Sequence, residues 1–488
     1  MRPNILLITV DQMRADCMGV MNHPVIETPY LDLLAHQGVL FPNAFSATPT
    51  CIPARAALFT GMSQRHHGRV GYQEGIPWNY EHTLPGELAK AGYHTQCVGK
   101  MHVHPPRSLL GFHNVIVHDG YMHVTRQKHK NRYAESFDQY DDYLVWLRER
   151  AGAHHDLIDN GTDCNASTYT RPWHLPEEYH PTNWAVTQSI DFLRRRDPRK
   201  PFFLWLSFVR PHAPLDPPQV YYDMYVNEDL PEPVIGDWAD QEDAKGNGRI
   251  PTTNKGIIRP RSLVKRARAA YYALITHIDH QIGRLLNALY EYGVNKNTVI
   301  LFTSDHGDMM GDHHMFKKTV PYQGSVNVPF ILSDPGNILN LRRGTVNRET
   351  VELRDVMPTL LEAAGADIPP TVDGKSVIPL AQGKPTAWRE YIHGEHFAGE
   401  GSHHYITNGK EKYIWFSQTG REQYFDLQAD PYETVCLASR PEYGERIAYW
   451  REKLIGELTG REEGFTDGTQ LFVGRKITPV LSHILEKN

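Results

Sequence analysis

Cys51 opens the run Cys51-Ile52-Pro53-Ala54-Arg55, which sets a thiol and a guanidinium about one helical turn apart. Pro53 suits the first turn of a helix, Ala54 to Phe59 are good helix positions, and Gly61 is a natural stop. Cys51 then sits at a helix N-terminus, where unpaired N–H groups and the helix dipole attract an anion. Arg55 adds a planar fork of donors for an oxyanion. A lone cysteine is by default a small buried apolar residue, so this run gains weight only from its company. Asp11-Gln12 and Asp305-His306 provide that company. Two carboxylates and an amide oxygen are hard ligands suited to Ca²⁺, Mg²⁺ or Mn²⁺, and an imidazole favours Mn²⁺ or a tolerant site. Taken separately, Asp11 would cap a helix and Asp305-His306-Gly307-Asp308 would form a turn. A cationic set completes the picture: Gly99-Lys100-Met101-His102, Arg210-Pro211-His212-Ala213-Pro214 and Phe316-Lys317-Lys318-Thr319. Lys100 and His102, two apart on an extended segment, face the same side, and prolines stiffen the loop around His212.

These residues need a frame that brings them together. Apolar runs at Asn4–Val10, Pro201–Phe208, Thr298–Thr303 and Pro329–Ser333 read as buried parallel strands. Helical patterns lie between them at Thr83–Ala91, Trp184–Arg195 and Lys265–Tyr292. The expected fold is α/β, with a large, mostly parallel central sheet flanked by helices. Ligands bind such sheets beyond the carboxyl ends of the strands. Asp11-Gln12, Arg210-Pro211-His212 and Ser304-Asp305-His306 directly follow the first three runs. Past Gly383-Lys384-Pro385 the strand-like runs Tyr391–His393, His404–Thr407, Lys412–Phe416 and Gln423–Leu427 suggest an antiparallel meander, followed by a helix at Glu442–Leu458. The expected division is a catalytic domain, 1–383, and a smaller α+β subdomain with a tail, 384–488. The tail, Phe465–Asn488, carries apolar residues that would pack on the main domain or on a second subunit, which leaves a homo-oligomer open. Segments 104–180 and 215–262 read as long excursions of the kind that form lids or substrate walls or else are disordered. Near the motifs, His66, His67, His104, Arg107 and His313 are further candidates for substrate contact.

Composition narrows the class. With 51 Lys and Arg against 57 Asp and Glu, the net charge is −6 and there is no basic face for nucleic acid. No apolar run reaches the roughly 18 residues a membrane span needs. The start, Met1-Arg2-Pro3-Asn4, lacks a small-residue cleavage site, so a cytoplasmic protein is expected. Five cysteines without a C-x-x-C pair exclude a disulfide framework and a zinc ribbon.

Taken together the motifs resemble the type I, formylglycine-dependent sulfatases of the alkaline phosphatase superfamily. The resemblance spans nearly the whole chain: Asp11-Gln12, Cys51-Ile52-Pro53-Ala54-Arg55, Gly99-Lys100-Met101-His102, Pro211-His212-Ala213-Pro214, Ser304-Asp305-His306-Gly307 and Lys318-x-x-x-Tyr322, closing on Gln423–Glu433. It implies an alkaline phosphatase-like sheet and hydrolysis of a sulfate monoester to sulfate and alcohol. It further implies that a maturation enzyme oxidises Cys51 to formylglycine, whose hydrate attacks sulfur. Asp11, Gln12, Cys51, Asp305 and His306 would bind one divalent cation, usually Ca²⁺, with Mn²⁺ or Mg²⁺ as alternatives. Arg55 and Lys100 would hold the diol and sulfate. His102 would take the proton that lets sulfate leave, and His212 and Lys318 would bind sulfate oxygens and protonate the departing alcohol.

Many members carry Asp-Asp where this chain has Asp11-Gln12, and Asp-Asn where it has Asp305-His306. The Gln and His variant is similar to the branch that includes choline sulfatase and phosphonate monoester hydrolases. It lowers the ligand charge by one and opens phosphonate or phosphodiester hydrolysis as an alternative activity. A third reading is an anion- or sugar-binding relative in which Cys51 is never oxidised. Lys317 is the fallback for Lys318, and sulfated sugars and small aryl or alkyl sulfates both remain as substrates.

Overall fold

In the computed structural model, residues 2–120, 140–162, 168–239, 261–397 and 399–486 are described. Parts of the expected pocket walls, 121–139, 163–167 and 240–260, lie outside them, as does Cys164. The strands are β1 (Asn4–Asp11), β2 (Gly38–Leu40), β3 (Ala44–Phe45), β4 (His94–Gly99), β5 (Asn114–Val117), β6 (Phe202–Pro211), β7 (Thr298–Ser304), β8 (Phe330–Ser333), β9 (Thr345–Val346), β10 (Val351–Glu352), β11 (Ile392–His396), β12 (His403–Thr407), β13 (Glu411–Phe416) and β14 (Glu422–Asp426).

Eight of them form the central sheet in the order β5-β4-β6-β1-β7-β8-β2-β9. From β5 to β7 every pairing is parallel. The central strands are buried on both faces, which is why they read as unbroken apolar runs. Alternation divides their side chains. Leu6, Ile8, Leu204, Leu206, Ile300 and Phe302 meet helices Pro181–Arg195 and Arg261–Glu291. Ile5, Leu7, Phe203, Trp205, Val299 and Leu301 meet helices Cys51–Thr60, Leu84–Lys90 and Val356–Ala363.

One expected direction is corrected. The run Pro329–Ser333, read as a parallel strand, is β8 and pairs antiparallel with both β7 and β2. An apolar run reports burial on two faces and carries no record of strand direction.

The second sheet, β11-β12-β13-β14, is an antiparallel meander. One face packs Tyr413, Trp415 and Tyr424 against Trp450 and Leu454 of helix Gly444–Leu458. The other face joins Tyr405, Ile414 and Phe425 to Phe45, Met309 and Tyr322 from the side of the large sheet. The tail packs on its own chain: the N–H groups of Val70 and Gly71 donate to the Pro479 carbonyl at 3.0 Å, Leu481 N–H donates to Gly68, and Val480, Leu481 and Ile484 are buried. Among the described residues no helix is long and apolar enough to cross a membrane.

Candidate active site

The ends of β1, β6 and β7 assemble the site. Val10 and Ser304 are partners in the parallel ladder, so Asp11 and Asp305 leave the sheet side by side. The Ser304 hydroxyl lies 2.9 Å from the Val10 carbonyl and 2.8 Å from that of His306, and accepts from Met13 N–H at 2.9 Å. On the other flank the pairing jumps from Val10–Phe208 to Asp11–Pro211, a bulge in β6. It brings His212 alongside, and His212 N–H donates to the Asp11 carbonyl at 3.1 Å. Gly99 ends β4 at φ +102°, and a Cβ there would stand 1.9 Å from the Ser207 carbonyl oxygen. Only glycine allows that approach, which delivers Lys100 to the same edge.

Cys51 is the first residue of its helix and is 2 % exposed. Its Sγ lies 3.2 Å from His306 Nε2, 3.6 Å from Asp11 Oδ1 and 3.6 Å from Lys100 Nζ. Lys100 also forms an ion pair with Asp11. One turn on, Arg55 is fully buried. Its Nε meets Asp305 Oδ2 at 3.2 Å, and its Nη1 donates to the Lys100 carbonyl at 2.7 Å and to Ser207 Oγ at 3.0 Å. Its Nη2 is buried with no hydrogen-bond partner. Arg55 thus grips the scaffold beneath Cys51 and keeps a single N–H₂ group in reserve.

Gln12, at φ +74°, donates its backbone N–H to Asp305 Oδ1 at 3.1 Å and its amide Nε2 to Asp308 Oδ2 at 2.5 Å. That fixes the amide so that Oε1 accepts from Lys318 Nζ at 2.6 Å. Lys318 therefore stands at the site, whereas Lys317 contributes its backbone N–H to Asp308 Oδ1 at 2.8 Å. His102, at φ +56°, is held by its backbone: its N–H and that of Met101 both donate to Asp119 Oδ1, at 2.9 and 2.7 Å. Its ring is half-buried near Tyr72, and its Nδ1 is buried without a partner. His102 and Gln12 occupy the left-handed region that non-glycine residues seldom adopt, as functional residues often do.

Electrostatics mark the spot as one built for a cation. Burial pushes the Asp305 carboxyl up and neighbouring Asp11 adds to it. Burial would also raise Asp11, but Lys100, His212 and Lys318 hold it well below the usual carboxylate range. The Cys51 thiol likewise lies well below its usual range, since Lys100, Lys318 and His306 outweigh burial and Asp11. Burial, with Lys318 adding, pushes His212 down to about 3, so its ring is neutral. Its Nδ1 lies 2.8 Å from the Ala213 carbonyl and carries the proton. His306 donates from Nδ1 to the Gly307 carbonyl at 3.0 Å, which points Nε2 at Cys51 Sγ and the two carboxylates, where it would serve as a metal ligand. Asp11, Cys51, Asp305 and His306 each offer a ligand atom, all within 4.8 Å of one another. This buried set of two carboxylates, a thiol and an imidazole fits one divalent cation.

Sequence reasoning missed several supporting groups. Asp308 and Asp119 act through backbone N–H groups of residues that cannot be guessed from spacing, although Asp308 does follow Asp305 within one short turn. In the second sheet, His396 is buried with both ring nitrogens unpartnered, and burial pushes it down to about 3, with His403 and His306 adding. The other candidates have structural engagements: His66 with Asp373 at 2.8 Å, His67 accepting Arg69 N–H at 3.1 Å, Arg107 with Asp142 at 2.9 Å, and His313 accepting Gly236 N–H at 3.0 Å. His104 accepts the Trp78 N–H on its carbonyl at 2.9 Å.

The sulfatase family pattern matches residues 3–366, and that of the N-sulphoglucosamine sulphohydrolase C-terminal region matches 311–459. The chain belongs to the sulfatase family. It is 57% identical over 484 residues to an arylsulfatase of Clostridium perfringens, covering 99% of this chain and 100% of that one. It is 30% identical to the choline-sulfatase of Rhizobium meliloti, covering 90% and 83% of the two chains. Among solved structures, the phosphonate monoester hydrolase of Agrobacterium radiobacter superposes with a TM-score of 0.76 at 25% identity, over 93% of this chain and 95% of that one. The large sheet with its small antiparallel companion is thus the alkaline phosphatase-like architecture expected from the motifs.

Proposed function

We propose that the protein hydrolyses sulfate monoesters, sulfated sugars or small aryl or alkyl sulfates, with residue 51 as the nucleophile. One observation carries this reading: the Cys51 side chain stands at a helix N-terminus, within 3.6 Å of Asp11, Lys100 and His306. The arylsulfatase at 57% identity supports the same substrate class. Asp11, Asp305 and His306, with the Gln12 amide oxygen beside them, would hold one divalent cation, Ca²⁺ first and Mn²⁺ or Mg²⁺ next. Bound there, the ion supplies Lewis-acid stabilisation of charge developing on oxygen. In the mature protein, Sγ of Cys51 marks the place of the hydrated formylglycine made by a maturation enzyme, which supplies a nucleophilic hydroxyl and a second hydroxyl whose proton can be removed.

The remaining work falls to the chain. Lys100 and Lys318 offset the ester's negative charge in a largely dry site, where such stabilisation is strongest. Arg55 holds Asp305 and the Lys100 carbonyl in register and offers its unpaired Nη2 to an oxyanion. His102 removes the proton that lets sulfate leave residue 51. His212 and Lys318 bind sulfate oxygens and protonate the leaving alcohol. His212 is neutral in the free site, and an anionic ester beside it draws a proton onto its ring.

A second reading has its own support. The Gln12 and His306 pair carries one less negative charge than the Asp and Asn found there in many family members, and the phosphonate monoester hydrolase superposes over nearly the whole chain. Phosphonate monoester hydrolysis is therefore the alternative activity of the same residues. Two measurements test these readings. Peptide mass spectrometry of the Cys51 segment, on protein co-expressed with a maturation enzyme, should show CH₂SH exchanged for CHO; an unmodified thiol would overturn the mechanism. Paired assays on an aryl sulfate and an aryl phosphonate should favour the sulfate in kcat/KM; the reverse order would promote the second reading.

A further inference from the structure

A second cluster of metal-ligating side chains stands well away in sequence from the catalytic residues. His155, Asp159 and His174 each offer a ligand atom, and these atoms all lie within 4.8 Å of one another. His155 Nδ1 is 3.9 Å from Asp159 Oδ2. Ligand pairs on a transition ion with bonds of about 2.0–2.2 Å stand roughly 3–4.4 Å apart, so a small side-chain rotation closes the set. His174 carries the strongest signal: both its ring nitrogens are buried, and neither has a hydrogen-bond partner. Such an imidazole loses its hydration without compensation, unless an ion takes one lone pair.

The backbone around the cluster is already in place. Asn160 Nδ2 donates to the Arg171 carbonyl at 3.3 Å, and Arg171 Nη1 donates to the Asn160 carbonyl at 2.9 Å. These reciprocal bonds tie the turn carrying His155 and Asp159 to the segment carrying His174. The Asp159 carboxylate is oriented by the Asp156 N–H, which donates to Oδ2 at 2.7 Å. The same segment runs beside the loop that follows His212: Arg171 N–H donates to the Leu215 carbonyl at 3.3 Å and Trp173 N–H to that of Pro217 at 2.9 Å. Asp216 in that loop holds Arg210 through two bonds, at 2.7 and 2.8 Å.

We propose that His155, Asp159 and His174 form a second metal site, taking a divalent transition ion of the Zn²⁺ class, and that it clips the surface excursion to the loop behind His212. Two imidazoles and one carboxylate select a nitrogen-preferring ion over Ca²⁺, in contrast to the more oxygen-rich catalytic donors. The probe is Co²⁺, which takes Zn²⁺ sites and reports ligand geometry by visible absorption. Full-length protein is stripped by chelator, loaded with Co²⁺, freed of excess and analysed for metal per chain. Asp159→Asn and His174→Gln should each hold one fewer Co²⁺ than wild type and lose one absorption band, with Zn²⁺ affinity at that site falling at least about tenfold. Asp305→Asn, which alters only the catalytic donors, should keep that band. Asp159 is exposed, so its substitution reads out even if His174→Gln misfolds. Equal Co²⁺ content in wild type and Asp159→Asn, or loss of the band in Asp305→Asn, would overturn the site.

Discussion

At the scale of single residues, the cluster around Cys51 is a set of charges that hold one another in place. Arg55 is the clearest case, since its guanidinium contacts the Asp305 carboxylate, the Lys100 carbonyl and the Ser207 hydroxyl while fully buried. Replacing it by alanine leaves Asp305 buried without its cationic partner, which costs about 3–5 kcal/mol. Urea unfolding of Arg55→Ala should show that loss together with lost turnover, and an unchanged midpoint would contradict the assigned contacts. Chelation is the second prediction at this scale. Removing the divalent ion should lower Tm as well as activity, because an ion at a hundred times its Kd adds about 2.7 kcal/mol. Most of this site was legible in the sequence because its residues follow strands directly: Asp11, Asp305, His306 and His212 are a ladder's next residues. Asp308 and Asp119 were not, since carboxylates that accept from remote backbone N–H groups leave no spacing to read.

At the scale of elements, legibility followed burial. β1, β6 and β7 lie mid-sheet and announced themselves, whereas β4 carries His94, Thr95 and Gln96, and the remaining strands of the large sheet are short. Helix Pro29–His36 shows what no local pattern reveals. Its N-cap, Thr28, makes no side-chain cap bond, and Asp279 of the long helix instead accepts from Tyr30 N–H at 3.1 Å and Leu31 N–H at 2.7 Å. Burial outweighs those bonds and pushes Asp279 up to about 7. The native state therefore binds this proton more tightly than the unfolded chain, whose carboxyl titrates near about 3.9. The stability it contributes is present below about pH 4 and is lost as pH rises towards 7, by up to about 1.4 kcal/mol per pH unit. Wild-type stability should accordingly fall relative to Asp279→Asn across that window. Parallel curves in denaturant titrations at several pH values would refute the shift.

At the scale of the whole molecule, the two sheets share a core and also a buried ion pair. Lys412 of β13 donates to Glu433 Oε1 at 2.6 Å, to the Pro321 carbonyl at 2.9 Å and to Gln323 Oε1 at 2.9 Å, just beyond Lys318. Lys412→Met should cost about 3–5 kcal/mol by stranding Glu433, and it should raise KM by loosening the Lys318 segment. A variant of wild-type stability in thermal melts would show the pair to be dispensable. The apolar tail posed a question that composition could not answer, because exposed-looking apolar residues fit an intramolecular strap as well as a subunit contact. Their burial against Gly68–Gly71 answers it for Val480, Leu481 and Ile484.

The burial of Cys51 also sets a clock. In the native protein, 2 % exposure leaves its side chain closed to any macromolecule. Of the groups that enclose it, Asp11 lies 40 residues before it and His306 lies 255 residues after it. At about 5–20 residues per second, translation needs roughly 10–50 s to supply that second wall. An enzyme that alters residue 51 must therefore act on a growing or unfolded chain, and the completed fold seals in whichever chemistry that interval has left behind.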